Sequence, residues 1–285
     1  MADLAILDAG LAQREATVPA LRPDCAKEIV WAGETGQRTD WAIVFIHGFS
    51  ATKHEIRPLP DLIAKGLGAN LFFTRLTGHG QDSDAMGDAT LADWQSDTAE
   101  AFDIGHQIGR KLLVIGCSTG CTLAALHLAN AGRATGLVQV SPNYGLRIWA
   151  AQKLLEWPGL HPLHSLTVGR DLIQKPKSPE HAAFWTLSYP LAAVTLTAEA
   201  VKLAEEAALS RIIAPTFMAV NPNDKVISPP AAEAAAKRWG GAVTYHEIQA
   251  GPTDDPLGHV MAGEVFSPKQ TGPLVRRILG WVGDI

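Results

Sequence analysis

Residues Val114 to Leu126 read VIGCSTGCTLAAL and set one serine between two glycines, with a cysteine to either side. Leu112 to Gly116 is a short apolar run rich in β-branched residues, and Thr119 to Ala129 has the composition of a buried helix. Strand, sharp turn and helix give Gly116-Cys117-Ser118-Thr119-Gly120, a G-x-S-x-G sequence, a mechanical meaning. The turn holds the serine in a strained backbone conformation at the carboxyl edge of a sheet, and glycines two positions away on each side leave it room. The helix then aims its positive end at negative charge developing on a bound group. Ser118 is the expected nucleophile, while Cys117 packs beside the strand end and Cys121 sits in the first helical turn.

A serine hydroxyl is a weak nucleophile without a base to take its proton and a carboxylate to orient that base. His259, in Pro256-Leu257-Gly258-His259-Val260, lies between the last predicted strand and the last predicted helix, at the same sheet edge as Ser118. His246 falls inside a strand pattern, and His127 lies on the helix after the turn, facing the wrong end. Asp224 ends the run IIAPTFMAVNPNDKV just past a strand and is the expected acid. Asp254 and Asp255 compete with it but read as loop and capping residues. The tetrahedral intermediate of acyl transfer needs two N–H donors. Thr119, directly after the nucleophile, supplies one, and Phe49, after the run AIVFI and His47-Gly48, supplies the other. His47 reads as a brace for that loop.

Seven stretches read as strands: Lys27–Trp31, Ala42–Ile46, Asn70–Thr74, Leu112–Gly116, Leu137–Ser141, Ile213–Val220 and Val243–Gln249. Amphipathic stretches alternate with them, which predicts an α/β fold with a mostly parallel sheet covered on both faces. The alternation breaks between about 141 and 210, where tryptophans and prolines cluster. The expected organisation is an N-terminal extension with the first strand region (1–40), a core of 41–141 and 211–285, and a helical cap over 142–210. Trp149, Trp157 and Trp185 in that insertion are candidates for covering a substrate, or for the cap's own core.

With 285 residues, 47% of them hydrophobic, the chain can build one large core domain carrying an insertion. A net charge of −5 with scattered Lys and Arg disfavours nucleic acid. Three cysteines do not form a disulfide framework. The start MADLAILDAGLAQRE lacks a basic region ahead of an unbroken apolar core, and no apolar run approaches the ~20 residues of a membrane span. The expectation is a cytoplasmic protein, with association into homo-oligomers left open. His161 and His164 lack further ligands at familiar spacing, so neither a metal nor a cofactor is expected.

Taken in order, His47-Gly48-Phe49, Gly116 to Gly120, Asp224 and Gly258-His259 make the chain resemble the α/β-hydrolase superfamily. Leu76-Thr77-Gly78-His79-Gly80 and Asp93-Trp94 with Asp97 are similar to the bacterial carboxylesterase and monoacylglycerol lipase group within it. Cys121 stands where that group often has a second glycine, and Thr119 where it has a large apolar residue. The resemblance implies an α/β-hydrolase fold with about eight strands and a cap after the sixth. It also implies hydrolysis of short or medium acyl esters or monoglycerides by water, with Ser118, Asp224 and His259 as the triad and Phe49 and Thr119 as oxyanion donors. Amide or carbon–carbon bond hydrolysis by the same triad is the alternative, and a silent binding protein a more distant one. His79 is expected to fix its loop and Trp94 to lie in the core.

Overall fold

The computed structural model describes residues 4–130, 132–155 and 171–285. Its centre is strand β2 (Thr39–Ile46), which is hydrogen-bonded in parallel to β3 (Asn70–Phe73) on one side and β4 (Gly109–Cys117) on the other. Alternation along β2 sends Ala42, Val44 and Ile46 into one buried layer and Trp41, Ile43 and Phe45 into the opposite one. Both faces are covered, so the strand reads as a continuous apolar run. At about 1.5–3 kcal/mol for each large side chain buried, such strands dominate the driving force for folding.

The sheet continues through β5 (Gly136–Val140), β8 (Thr216–Val220) and β9 (Val243–Glu247), all parallel. It ends at the other edge in β1 (Glu28–Val30), which pairs antiparallel with β3. The order is β1-β3-β2-β4-β5-β8-β9. Helices α2 (Leu59–Leu67) and α10 (Pro268–Val282) cover one face. The other carries α4 (Leu91–Ile108), α5 (Thr119–Asn130) and α9 (Pro229–Ala236). Helix α4 starts in a capping box: the Thr90 side chain accepts from the Asp93 N–H, and the Asp93 side chain accepts from the Thr90 N–H.

The main sheet has seven strands among the described residues, the seven stretches named from the sequence, against about eight implied by the resemblance. Ahead of β1, which forms the sheet's edge, the chain folds as helix α1 (Leu4–Ala16). Leu11 of α1 is buried in the core, and Arg75 donates twice to Glu15, at 2.8 and 2.9 Å. The segment 142–210, expected as a cap after the sixth strand, follows β5, the fifth strand of this sheet in chain order.

Between β5 and β8 the chain forms α6 (Trp149–Leu155), a two-stranded ribbon of β6 (Leu172–Ile173) with β7 (Ser188–Tyr189), α7 (Pro179–Phe184) and α8 (Leu191–Glu206). Ala200 and Ala204 of α8 belong to the main core beside α5, so this helix completes a layer of the sheet. Among the described residues, no helix is long and apolar enough to cross a membrane.

Candidate active site

Every parallel strand delivers its carboxyl end to one edge, and the predicted residues arrive there on separate loops. Ser118 occupies the single position between β4 and α5, with φ of +49°. That left-handed conformation is costly for a residue with a side chain, and it persists because the surroundings enforce it. The Ser118 N–H donates to Val140 O at 3.0 Å, and its carbonyl accepts from Cys121 N and Asn143 N. The flanking glycines are needed for close approach. A Cβ on Gly120 would stand 2.1 Å from Ile46 O, and one on Gly116 would stand 2.8 Å from the Cys121 backbone. Cys117 and Cys121 are completely buried, and burial raises both thiols well above their usual range, which leaves them protonated and inert.

His259 follows Gly258, whose φ of +64° turns the chain towards the sheet. Its Nδ1 donates to Asp224 Oδ2 at 2.8 Å, which leaves Nε2 to accept from the Ser118 hydroxyl at 3.0 Å. Asp224 is fixed because its Oδ1 accepts from the N–H groups of Val226 and Ile227 at 2.7 and 3.0 Å. Burial works against a charged imidazole here. The hydrogen bond and charge of Asp224, with smaller contributions from Glu55 and Asp255, nevertheless raise His259 above its ordinary 6.5.

The structure thus brings Ser118, Asp224 and His259 into one hydrogen-bonded line and keeps the competitors out of it. Asp255 accepts from the N–H groups of His259 and Val260, both at 3.1 Å, and pairs with Lys177. Burial would raise its carboxyl, but the Val260 N–H and Lys177 hold it below the usual range. Asp254 accepts from Gly251 N and the Gln270 side chain. His246 lies on β9 against Phe217, and His127 packs on Phe102.

On the loop after β2, His47 acts as a brace. Its Nδ1 donates to Gly48 O at 2.8 Å and its Nε2 accepts from Leu76 N at 3.1 Å. Burial lowers its pKa to about 4, so it stays neutral. The rings of His79 and Trp94 are fully buried below this loop. Phe49 and Thr119 both border the cavity that holds Ser118, and no acceptor among the described residues pairs with either N–H.

That cavity has a volume of about 290 Å³; apolar atoms make up most of its wall, but polar side chains line it in about equal number, Glu55, Lys177 and Asp255 among them. Trp185 lines it and packs edge-on against His181 and Phe266, at 5.2 and 5.3 Å between ring centres. Trp157 lies outside the described residues, as does the side chain of Trp149, whose backbone begins α6. Several lining residues escape sequence reasoning. Tyr189 and Phe266 come from unrelated elements without periodic signal, and Asn143 and Glu55 sit in loops. Larger hollows of about 400 and 650 Å³ lie away from Ser118, and volume alone would have misplaced the site. Among the described residues, no group of three or more His, Cys, Asp or Glu side chains is arranged to hold a metal ion.

Comparisons with known proteins bear on the family and the fold. The thermostable monoacylglycerol lipase of Bacillus sp. (strain H-257) is 28% identical over 187 residues, covering 66% of this chain and 72% of that protein. A structure from work on LipS and LipT, two metagenome-derived lipolytic enzymes, has 18% identity and a TM-score of 0.73, covering 94% of this chain and 99% of the other. The monoacylglycerol lipase of Paleococcus ferrophilus has 15% identity and a TM-score of 0.63, covering 91% and 98%. At such identities these two structures speak for the fold. The sequence model of the alpha/beta hydrolase family matches residues 43–266, and the chain belongs to that family.

Proposed function

We propose that this chain, a carboxylic ester hydrolase of the esterase and lipase type, works by acyl transfer through Ser118, His259 and Asp224. The observation that carries the reading is the line Asp224 Oδ2 to His259 Nδ1 to Ser118 Oγ, at 2.8 and 3.0 Å, ending on a serine held at positive φ. His259 takes the hydroxyl proton as Ser118 attacks the ester carbonyl, and Asp224 keeps the imidazole tautomer and stabilises its charge. The N–H groups of Phe49 and Thr119 receive the oxyanion. His259 then protonates the departing alcohol, and a water activated by the same imidazole releases the acid.

The substrate we infer is a short or medium acyl ester or a monoglyceride. A cavity of about 290 Å³ sits at the small end of ligand pockets, and its apolar wall suits an acyl chain better than a charged one. The Bacillus relative, a monoacylglycerol lipase, supports the same class. We read the segment from 142 to 210 as a cap, with Trp185 as the part of it that meets substrate. The protein has no described membrane-crossing helix, and we place its action in the cytoplasm, without a metal or cofactor.

Ser118→Ala tests the mechanism. Turnover of p-nitrophenyl esters is expected to fall by at least about 10⁴-fold with the fold intact, and labelling by a fluorophosphonate probe to vanish. Wild-type turnover by that variant would overturn the assignment.

A further inference from the structure

Among the described residues, Glu55 is the one carboxyl lining the cavity that the acyl-transfer scheme leaves unused and without a lysine or arginine partner. It is 3% exposed. Burying a carboxyl without a cation is costly, and a fold keeps such a group only where its position matters. Oε2 accepts from the Gly48 N–H at 2.6 Å, in the His47–Gly48 peptide, one peptide ahead of the one that carries the Phe49 N–H. A Cβ added at Gly48 would stand 2.6 Å from Glu55 Oε1 and 3.0 Å from Ser118 Cβ, so carboxyl and nucleophile face each other across a single glycine.

The mount is rigid. The Glu55 N–H donates to Thr52 O at 3.0 Å, and Gly263 packs so tightly that a Cβ there would meet Glu55 O at 2.8 Å. Gly263 belongs to the loop that carries His259, so one segment touches both the base and the oxyanion loop. The titratable groups facing the carboxyl are His259 from that loop, Cys117 from the end of β4 and Cys121 from α5. Asp224 and Asp255 reach His259 from other sides. Burial pushes the Glu55 carboxyl up to about 7, while the Gly48 N–H, His259 and Cys117 favour its charged form.

We propose that Glu55 is a positioning residue of this site, holding the His47–Gly48 peptide so that the following Phe49 N–H stands where an oxyanion meets it, and setting a carboxyl on the wall of the cavity that His259 also lines. The role builds on the Ser118 mechanism proposed above. Because the Gly48 N–H is taken by Glu55, the Phe49 N–H is the donor that remains for substrate. Above about pH 7, where the Glu55 carboxyl is ionised, its charge also favours the imidazolium that forms as Ser118 gives up its proton.

Glu55→Gln keeps an acceptor for the Gly48 N–H but removes the charge, whereas Glu55→Ala removes both. With p-nitrophenyl butyrate, Glu55→Gln is expected to lower kcat about three- to ten-fold and to shift the acid limb of kcat/KM to lower pH by about half a unit. Glu55→Ala is expected to lower kcat by about 10–100-fold with KM changed less than about two-fold, as for a misplaced oxyanion donor. Ser118→Ala, assayed alongside, separates the two ideas. If it stays active, the acyl-transfer scheme fails. If it is silent while Glu55→Gln keeps the wild-type kcat and acid limb, only the role of Glu55 falls. The glutamine variant decides alone should the alanine variant not fold. A drop in Tm with kcat and acid limb unmoved would reduce Glu55 to a structural residue and overturn the proposal.

Discussion

Two loops at the same edge of the sheet each bury a histidine, and the two imidazoles end in opposite states. His47, after β2, is shut away from solvent with only main-chain partners, and its pKa falls to about 4. His259, after β9, is almost as deeply buried, yet its pKa rises above 6.5 because Asp224 lies 2.8 Å from Nδ1. Burial makes an imidazole a neutral hydrogen-bonding strut, and one buried carboxylate turns the same side chain into a base. His79, its ring tilted against that of His47, follows the first pattern and is lowered by burial.

Replacing Asp224 with asparagine removes what distinguishes the two histidines and carries the largest expected effect after loss of Ser118. His259 is then governed by burial, and its pKa falls. Since the base must be neutral to act, the acid limb of kcat/KM, expected above pH 6.5 in the wild type, should move to lower pH. At the same time kcat drops by about 10³–10⁴-fold, because the tautomer is no longer fixed and the imidazolium loses its counter-charge. A pH–rate profile of Asp224→Asn with an unmoved acid limb, under conditions where chemistry limits the rate, would show that Asp224 does not set the basicity of His259.

His47→Ala attacks the other side of the comparison, with a smaller effect on chemistry. It leaves the Leu76 N–H unpaired in the interior, costing roughly 1–3 kcal/mol and lowering Tm. The Gly48 carbonyl also loses its donor, and kcat is expected to fall about ten-fold as the loop relaxes. The acid limb should stay in place, because a strut that is never charged in the working range cannot set it. A shift matching that of Asp224→Asn would make His47 part of the proton path.

Much of this contrast is legible in the sequence, for definite reasons. The seven strands announce themselves as short apolar runs because both faces of the sheet are covered. Gly116 and Gly120 mark the turn because no other residue fits against Ile46 O and the Cys121 backbone. Ser118, Asp224 and His259 can be picked out because each follows a strand of one parallel sheet, so topology alone brings them to one edge. Where partners come from outside that logic, the sequence is silent. Nothing marks Glu55 as the acceptor of the Gly48 N–H, or Glu15 as the partner of Arg75 across 60 positions. The family resemblance implied about eight strands and the sheet has seven, with helix α1 ahead of β1. The aromatic wall is only partly legible: Trp185 stands out by composition, but its partners His181 and Phe266 are joined to it by tertiary packing.

That wall offers the mildest test, since it should affect what binds and leave both histidines alone. The Trp185 main chain is held firmly: its carbonyl accepts from Arg22 Nη1 at 2.5 Å, and the next residue donates from Thr186 N to Ser50 O at 2.7 Å. These bonds survive a change of side chain, so Trp185→Leu should empty space in the cavity without displacing the oxyanion loop. For p-nitrophenyl esters running from acetate to decanoate, KM is expected to rise about three- to ten-fold for the chain length that fits the wild type best, and the preferred length to increase. That corresponds to losing roughly 1 kcal/mol of apolar contact, well within what one buried aromatic side chain supplies. The acid limb and kcat should stay within about two-fold of wild type, which separates this wall from the edge where His47 and His259 diverge. An unchanged chain-length profile would assign Trp185 to the packing of His181 and Phe266 rather than to the acyl site.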